Sequence, residues 1–347
     1  MLRLAILLSN MENLKQLLHK MLIIGFDGTD ISKNDTLKTQ IKNGLGGVIL
    51  FDHYIDDKTK DKNISTPEQL KSLTSSLQNI STNPLMICID QEGGKVARLK
   101  EQKSFRASKS AKIVAELSAQ EAKLEYESLS KELENLGINC NFAPLVDLGI
   151  NKDSKVIYGL DRTYGEDRNT VVEYGEIFMD ALKKHQIVSV LKHFPGHGSA
   201  KGDSHEGFVD ITNSWDEVEL FPYRSLLSKT NMIMSAHVFN ARLDEKYPAT
   251  LSHKINTQLL REQIGYDRVL ITDDLQMAAI QAHYEKEKAI ELAINSGADM
   301  LMYCNQLGDD DTEETIDMME HLVLNGKVSI DRIKEANKRI DKLHKGI

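Results

Sequence analysis

The sequence predicts an α/β protein that folds as a single (β/α)8 TIM barrel, and two observations support this fold class. Eight short runs rich in Val, Ile, Leu and Met alternate with longer stretches that place apolar residues at helical spacing. Continuous apolar runs are typical of parallel strands that helices cover on the outside. Eight such alternations without a break in composition indicate one barrel domain of about 250 residues plus insertions. An open doubly wound sheet is the alternative, and no GxGxxG follows the first run to favour it.

The predicted strands are the eight apolar runs. They are MLIIGF (21–26), GVILF (47–51), LMICID (85–90), INCNFAP (138–144), IVSVLKH (187–193), MIMSAHV (232–238), RVLITDD (268–274) and DMLMYC (299–304). Helical patterns lie between them. The stretch 65–79 begins with a Ser/Thr cap followed by Pro in the first turn, and the stretch 115–137 keeps leucines at helical spacing and stops at Gly137.

Composition and charge argue for a globular protein and against a nucleic-acid partner. Of the 347 residues, 41% are hydrophobic and 27% are charged, which is far from a disordered composition. The net charge is −9, whereas a nucleic-acid groove needs clustered Lys and Arg. Cys88, Cys140 and Cys304 stand in separate apolar runs. We therefore predict free thiols in a reducing compartment and no disulfide framework.

The first residues, MLRLAILLSNMENLKQ, require a decision about targeting. We interpret residues 1–11 as an N-terminal extension of the barrel at 12–347, with Met11 as an alternative start. The apolar run LAILLS is short and no small-x-small cleavage site follows it, so we predict a cytoplasmic protein. A periplasmic or exported protein is the alternative if residues 1–10 belong to a signal. No stretch approaches the roughly 20 apolar residues of a membrane span, so we expect no membrane insertion, and we expect a monomer.

Polar side chains stand where several predicted strands end, which is the edge where barrel enzymes carry their catalytic groups. These residues are Asp90, Arg98, Asn141, Asp147, Lys192, His193, His237, Thr272, Asp273 and Asp274. A charged group beside an apolar strand is costly to desolvate unless it is paired or used. A structural salt bridge explains any one of them equally well, but their recurrence favours a functional site. Without a serine elbow, P-loop or CxxC pair in the chain, the set favours acid–base or nucleophilic carboxylate chemistry on a polyhydroxylated substrate.

Six motifs together resemble glycoside hydrolase family 3, and more narrowly its single-domain bacterial β-N-acetylglucosaminidases of cell-wall recycling. The motifs are IDQEGGKVARLK (89–100), NFAPLVDL (141–148), DRTYGED (161–167), LKHFPGHGSAKGDSH (191–205), MSAHV (234–238) and ITDDLQM (271–277). The resemblance runs in order from about residue 12 to the C-terminus. It implies a (β/α)8 barrel and a retaining exo-β-N-acetylglucosaminidase that releases non-reducing terminal N-acetylglucosamine from muropeptides. It also implies that the enzyme needs neither a metal nor an organic cofactor.

The resemblance implies two chemical roles. Asp273 matches the nucleophile of the glycosyl-enzyme intermediate, and Asp274 is better placed as the N-cap of the following helix. His205 matches the acid/base, and Asp203 matches the partner that orients its ring. We expect the glycines around this pair to let the loop open and close over the sugar. They are Gly196, Gly198, Gly202 and Gly207.

The resemblance also implies a set of sugar-binding side chains. They are Asp90, Arg98, Arg162, Lys192 and His193. We interpret His197 and His237 as pocket walls or supporting partners, and structural roles explain them equally well. The charged stretch HYIDDKTKDKNISTPEQ (53–69) predicts an irregular insertion at the rim of the barrel.

Three other functions stay open from the residues. A metal hydrolase would use His193, His197, His205 and Asp273 as zinc ligands, although these histidines lie on a Gly-rich loop without fixed helical spacing. A non-catalytic sugar-binding barrel would keep the binding residues without needing both Asp273 and His205. A β-glucosidase or β-xylosidase of the same family would usually be longer and take its acid/base from a second domain.

Overall fold

Eight parallel strands close into a barrel in the computed structural model, which describes residues 13–203, 207–308 and 310–345. In chain order the strands are β1 Leu22–Gly25, β2 Gly47–Leu50, β3 Met86–Ile89, β4 Cys140–Asn141, β5 Val188–Phe194, β6 Val209–Asp210, β7 Met232–Ser235, β8 Val238–Phe239, β9 Val269–Asp274 and β10 Met300–Tyr303. The barrel runs β1-β2-β3-β4-β5-β7-β9-β10 and closes on β1, while β6 and β8 form a separate two-stranded ribbon. Each predicted strand is present, and closure of the sheet rules out the open doubly wound alternative.

The barrel strands are buried on both faces, which explains their continuous apolar sequences. Each residue of β1, β2, β3, β5, β7 and β10 is buried, and in β9 only Asp273 is partly exposed. Leu22 of β1 pairs with Leu301 of β10, and this pairing closes the barrel. Cys88, Cys140 and Cys304 are buried free thiols, as predicted.

Helices cover the outside of the barrel. They are 13–20, Asp35–Lys42, Pro67–Ile80, Ala111–Val114, Ala119–Asn135, Arg168–Lys184, Phe221–Leu226, the wide π-type helix Lys254–Gln263, Ala278–Gln281, Lys286–Ser296, Thr312–Leu324 and Ile330–His344, with short 3-10 turns at Glu101–Lys103, Glu217–Leu220 and Ala249–Leu251. The predicted Thr66 cap accepts a hydrogen bond from the Gln69 N–H at 3.2 Å. The stretch 115–137 becomes helical only after Ser118, which forms a capping box with Glu121.

Three arginines around one buried aspartate stabilise the amino-terminal end of the barrel. Asp299, fully buried just before β10, accepts hydrogen bonds from Arg261 at 2.8 Å and Arg339 at 3.2 Å and also pairs with Arg332. Two of these arginines belong to the last helix, which is thereby fastened under β9 and β10. This end of a (β/α)8 barrel serves stability and lies opposite the catalytic face.

None of the helices in the described parts of the chain combines the length and the apolar character that crossing a bilayer requires.

Candidate active site

A cavity of about 550 Å³ opens at the carboxyl ends of the barrel strands. Seven of the eight side chains predicted for the site line this cavity. They are Asp90, Arg98, Arg162, Lys192, His193, Asp203 and Asp273. The eighth, His205, lies outside the described residues. The fold therefore brings residues from β5, β9 and three loops to one place, as expected for this face of a barrel.

Lys192 of β5 is buried between two carboxylates. Its Nζ lies 2.8 Å from Asp90 Oδ1 and 2.7 Å from Glu92 Oε1, and its side chain is only 3% exposed. Asp90 directly follows β3, and Glu92 comes two residues later. The ammonium group therefore joins the end of β5 to the end of β3. Because its position is set by two anions, it is fixed before any ligand arrives.

Two arginines extend this cluster. The Arg162 guanidinium donates two parallel hydrogen bonds to Glu92, at 2.8 and 2.7 Å, and its Nη1 donates to the Val156 carbonyl at 3.1 Å. Arg98 donates to Asp90 Oδ2 at 3.3 Å, and its guanidinium lies 5.2 Å from the centre of the Phe51 ring. We refer to Asp90, Glu92, Arg98, Arg162 and Lys192 as the ionic cluster.

The cations keep both carboxylates of the ionic cluster ionised. Burial raises the pKa of Asp90, but the charges of Lys192 and Arg98 outweigh it and hold that pKa below its usual range. Burial also raises the pKa of Glu92, and Arg162 with Lys192 overcomes it and lowers the value to about 2. Burial alone would lower the pKa of Lys192, yet Asp90 and Glu92 raise it. At neutral pH these groups are therefore charged and mutually paired.

A second set of contacts orients His193, which lies in β5, and His197, which follows that strand. His193 Nδ1 lies 2.7 Å from Asp147 Oδ2, and the His197 backbone N–H donates to Asp147 Oδ1 at 2.8 Å. Burial raises the pKa of Asp147, but His193 and His197 bring it below its usual value. Burial, with the neighbouring His193, lowers the pKa of His197 to about 4, so that ring is neutral at physiological pH. Because Nδ1 contacts Asp147, Nε2 is the His193 ring nitrogen without a hydrogen-bond partner among the described residues, and His193 lines the cavity.

The end of β9 places two adjacent aspartates in different surroundings. Asp273 lines the cavity and is half-buried, and its Oδ1 accepts a hydrogen bond from the Asp274 N–H at 2.8 Å. The Asp274 carboxyl is buried and accepts from the N–H groups of Gln276 at 3.1 Å and Cys304 at 3.2 Å. Burial raises the pKa of Asp274 to about 6.

The predicted helix-capping role of Asp274 is wrong. The next helix, Ala278–Gln281, starts after Met277 and has no side-chain cap. Asp274 instead binds the backbone at the ends of β9 and β10. His237, for which a pocket role and a structural role were both open, also contacts the backbone at the end of β9. Its Nε2 lies 2.8 Å from the Asp274 carbonyl oxygen, and its Nδ1 lies 2.8 Å from Thr250 Oγ1.

The loop that carries Asp203 starts from a tightly packed base. A Cβ atom on Gly198 would lie 1.9 Å from the Leu148 carbonyl oxygen, and one on Gly196 would lie 2.6 Å from the Glu219 Cβ. Close packing therefore requires glycine at these two positions, and opening of the loop stays a prediction. Asp203 itself reaches the cavity.

Glu219 is a buried acid that the sequence did not reveal. Its Oε2 accepts a hydrogen bond from the Gly198 N–H at 2.9 Å, so it holds the base of the loop. Burial, reinforced by the charge of Asp147, raises the pKa of Glu219 to about 7. Glu92 was also absent from the candidates, although it stands in a quoted motif, whereas Asp147 was among the polar residues at the strand ends but was given no role. Glu219 lies in an ordinary amphipathic stretch, and no local signal distinguishes it.

The zinc-binding alternative has little support from the described residues. Within the described ranges, no three His, Cys, Asp or Glu side chains lie close enough together to hold a metal ion. The proposed ligand set also included His205, which is not among those residues.

Comparison with known proteins defines the class. The profile of the glycosyl hydrolase family 3 N-terminal domain matches residues 11–343. The chain belongs to glycosyl hydrolase family 3, as its motifs predicted, and is a glycoside hydrolase.

Individual relatives extend this comparison. The chain is 34% identical to the beta-hexosaminidase of Tolumonas auensis over 75% of this chain and 76% of that protein. It is also 34% identical to beta-hexosaminidase A of Pseudoalteromonas piscicida over 74% of this chain, but it spans only 45% of that protein. A family 3 beta-N-acetylglucosaminidase from Paenibacillus sp. FPU-7 superposes with a TM-score of 0.85 at 29% identity, over 96% of this chain and 62% of that one. LpqI of M. tuberculosis gives a TM-score of 0.81 at 26% identity, over 95% and 93%.

The raised pKa of Glu219 predicts a pH-dependent stability. A carboxyl whose pKa is higher in the folded protein stabilises it fully below the unfolded value and progressively less as pH rises through the folded value. Between pH 5 and 8 the free energy of unfolding should therefore fall, and Glu219→Gln should reduce that fall by an amount on the order of 2 kcal/mol. Urea unfolding across this range measures it. Glu116→Gln, at an exposed position, is the matched control, and equal pH profiles for all three proteins would contradict the assignment.

Proposed function

We propose that the chain is a retaining exo-β-N-acetylglucosaminidase that releases non-reducing terminal N-acetylglucosamine from peptidoglycan fragments. The observation that carries the proposal is that Asp273 and Asp203 line one cavity together with four members of the ionic cluster, namely Asp90, Arg98, Arg162 and Lys192. Family membership and relatives named beta-hexosaminidase and beta-N-acetylglucosaminidase support the substrate class. The proposal includes a monomer that acts in the cytoplasm without a metal or organic cofactor.

Asp273 is the nucleophile in this proposal. Its carboxylate stands at the end of a rigid strand and attacks the anomeric carbon while the glycosidic bond breaks. A covalent glycosyl-enzyme forms with inversion, and water then displaces the carboxylate with a second inversion. The net result is retention of the anomeric configuration. The Asp274 N–H, 2.8 Å from Oδ1 of Asp273, fixes the orientation of this carboxylate.

His205 is the acid/base, and Asp203 is its partner. The imidazolium donates a proton to the leaving oxygen in the first step, and the neutral ring removes one from water in the second. Asp203 holds the ring and favours its protonated form, as an aspartate does in a hydrolase triad. Support comes from Asp203, which reaches the cavity, and from the packed base at Gly196 and Gly198, which limits where the loop can lie.

The ionic cluster binds the sugar hydroxyls. Asp90 accepts hydrogen bonds, while Lys192, Arg98 and His193 Nε2 supply polar contacts from fixed positions. Because these charges are already paired, they need little reorganisation when the sugar binds. Arg162 directs two of its N–H groups to Glu92 and one to a backbone carbonyl, so in this proposal it acts mainly by holding Glu92 against Lys192.

Substrate preference tests the proposed activity. The enzyme should hydrolyse an aryl β-N-acetylglucosaminide with a kcat/KM roughly a hundredfold or more above that for the matching aryl β-glucoside, because a pocket built to bind an acetamido group loses those hydrogen bonds with glucose. Initial rates on the two substrates measure the ratio. Equal rates, or a preference for the glucoside, would support the β-glucosidase alternative instead.

Removal of the nucleophile should abolish turnover. Asp273→Ala should lower kcat on the aryl N-acetylglucosaminide by roughly a thousandfold or more, because no carboxylate can form the intermediate. Asp267 is exposed and precedes the first residue of β9, at the end of the strand opposite Asp273. Asp267→Ala should therefore retain full activity. Circular dichroism should show the same fold for both variants. Near-normal turnover by Asp273→Ala would refute the nucleophile assignment.

Removal of the acid should have an effect that depends on the leaving group. A phenolate with a low pKa hardly needs protonation, whereas a sugar alkoxide does. His205→Ala should therefore lose much more kcat/KM on a disaccharide than on a nitrophenyl glycoside. Steady-state kinetics on both substrates provide the comparison. Equal losses would remove the acid role of His205.

A further inference from the structure

A second and larger cavity, of about 850 Å³, lies at the carboxyl ends of β1, β2 and β10. We refer to it as the acidic annex. Its polar side chains include Asp27, Gln40, Tyr54, Asp56, Asp57, Lys60, Asp310 and Asp311. Among these described residues, five carboxylates face one ammonium group, so the annex carries an excess of negative charge.

The annex adjoins the proposed sugar pocket across a narrow ridge. Ile55 and Gln306 line both cavities. The Ile55 N–H donates to Gln306 Oε1 at 3.2 Å, and Gln306 Nε2 donates to the His53 carbonyl at 3.0 Å. This side chain thus joins the segment after β10 to the charged insertion after β2. A single extended ligand can cross the ridge and occupy both cavities.

The carboxylates of the annex differ in how far they are neutralised. Asp27 pairs with Lys62 at 3.3 Å, and Asp310 pairs with Lys286 at 2.9 Å. Asp56 and Asp57 are exposed, and in the described parts of the chain no Lys, Arg or His group lies within 4.0 Å of either carboxylate. Asp57 Oδ1 accepts hydrogen bonds from the N–H and hydroxyl groups of Thr59, at 3.0 and 2.6 Å, so these aspartates keep their negative charge without a cation in direct contact among the described residues.

The pKa of Tyr54 also reflects the negative charge of the annex. Burial raises the pKa of its phenol, and the charges of Asp27 and Asp56 raise it further. A group whose anionic form is disfavoured by its neighbours marks a place where a cation is favoured.

Gln40 provides an independent sign of a ligand. It belongs to the helix Asp35–Lys42, is only 4% exposed, and lines the annex. Its side-chain amide makes no hydrogen bond with any described residue, whereas buried polar groups are nearly always paired. The amide faces the cavity and is therefore available to a ligand that carries its own amide donor and acceptor.

The shape of the annex favours an extended organic cation over a metal ion. The carboxylates come from three separate segments, and no three acidic or histidine side chains among the described residues converge closely enough to hold a metal. The volume falls in the range of sites that bind drug-sized organic ligands. An amide partner for Gln40 and a cationic partner for Asp56 and Asp57 together describe a peptide with a basic side chain.

We propose that the acidic annex binds the peptide of a glycopeptide aglycone, with an ammonium group of that peptide near Asp56 and Asp57 and a peptide amide at Gln40. The inference rests on the proposed function, because the sugar cleaved from this aglycone occupies the adjoining pocket. It also gives a role to the charged insertion at 53–69, which supplies Tyr54, Ile55, Asp56 and Asp57 to the annex and its ridge.

The test compares two substrates that differ only in one charge. Both carry N-acetylglucosamine on an N-acetylmuramoyl peptide, one with lysine and the other with Nε-acetyllysine. The wild-type protein should show a kcat/KM roughly three- to tenfold higher for the lysine substrate at low ionic strength, and the difference should vanish near 0.5 M salt, about where screening removes exposed charge pairs. Asp56→Asn should lower the preference by roughly two- to threefold.

Two further variants separate the parts of the inference. Gln40→Met, which removes the amide at similar volume, should lower kcat/KM for both peptides equally and leave the aryl N-acetylglucosaminide unchanged. Asp267→Asn makes the same charge change as Asp56→Asn at the opposite end of the barrel and should alter none of the ratios.

The possible results distinguish this inference from the proposed function. Hydrolysis of the aryl N-acetylglucosaminide with equal rates on the two peptides would overturn the inference and leave the function standing. A preference that Asp56→Asn does not change would also overturn it. If the aryl substrate is not hydrolysed, the proposed function fails. Calorimetric titration with the two glycopeptides then decides the inference, and equal dissociation constants would overturn it.

Discussion

A buried ammonium group between two carboxylates organises the catalytic face. Lys192, at the end of β5, contacts both Asp90 and Glu92, and Arg162 covers the far side of Glu92. Removing such charges from water costs several kcal/mol for each ion, and the mutual pairing offsets that cost only while all partners are present. The ends of β3 and β5 and the segment that carries Arg162 therefore have one compatible arrangement. The polar wall of the cavity exists before a sugar arrives.

The pKa values of the buried carboxyl groups depend on whether a cation contacts them. Asp90 and Glu92 contact Lys192 and arginines, and their pKa values stay low in spite of burial. Asp274 and Glu219 are buried with mainly backbone N–H groups as partners, and their pKa values rise to about 6 and about 7. The first pair stays ionised, and of the two only Asp90 lines the cavity. The second pair acts as acceptors for the backbone near Asp273 and at the base of the loop after β5, where a neutral carboxyl is cheaper to bury.

The two cavities are complementary in charge although they share one rim. The cluster around Lys192 provides paired, immobile charges suited to hydroxyl groups, whereas the acidic annex has exposed carboxylates suited to a cation. Ile55 and Gln306 form the ridge between these environments, and each of the two residues lines both cavities. The exposed first part of the segment 53–69 thus lines both cavities through Ile55, while Asn63 and Ile64 of the same segment are fully buried.

Much of this protein was determined by the sequence alone. Apolar runs had to become strands buried on both faces, and the order of the motifs identified the family and seven of the side chains that meet in the cavity. The role of Asp274, the packing of Gly196 and Gly198, and the buried acid Glu219 were decided only by the tertiary structure. Hydrophobic periodicity is local, so it is legible in the chain. Burial of a carboxyl, and which cation or N–H reaches it, depends on segments distant in sequence that closure of the barrel brings within 3 Å or so of one another.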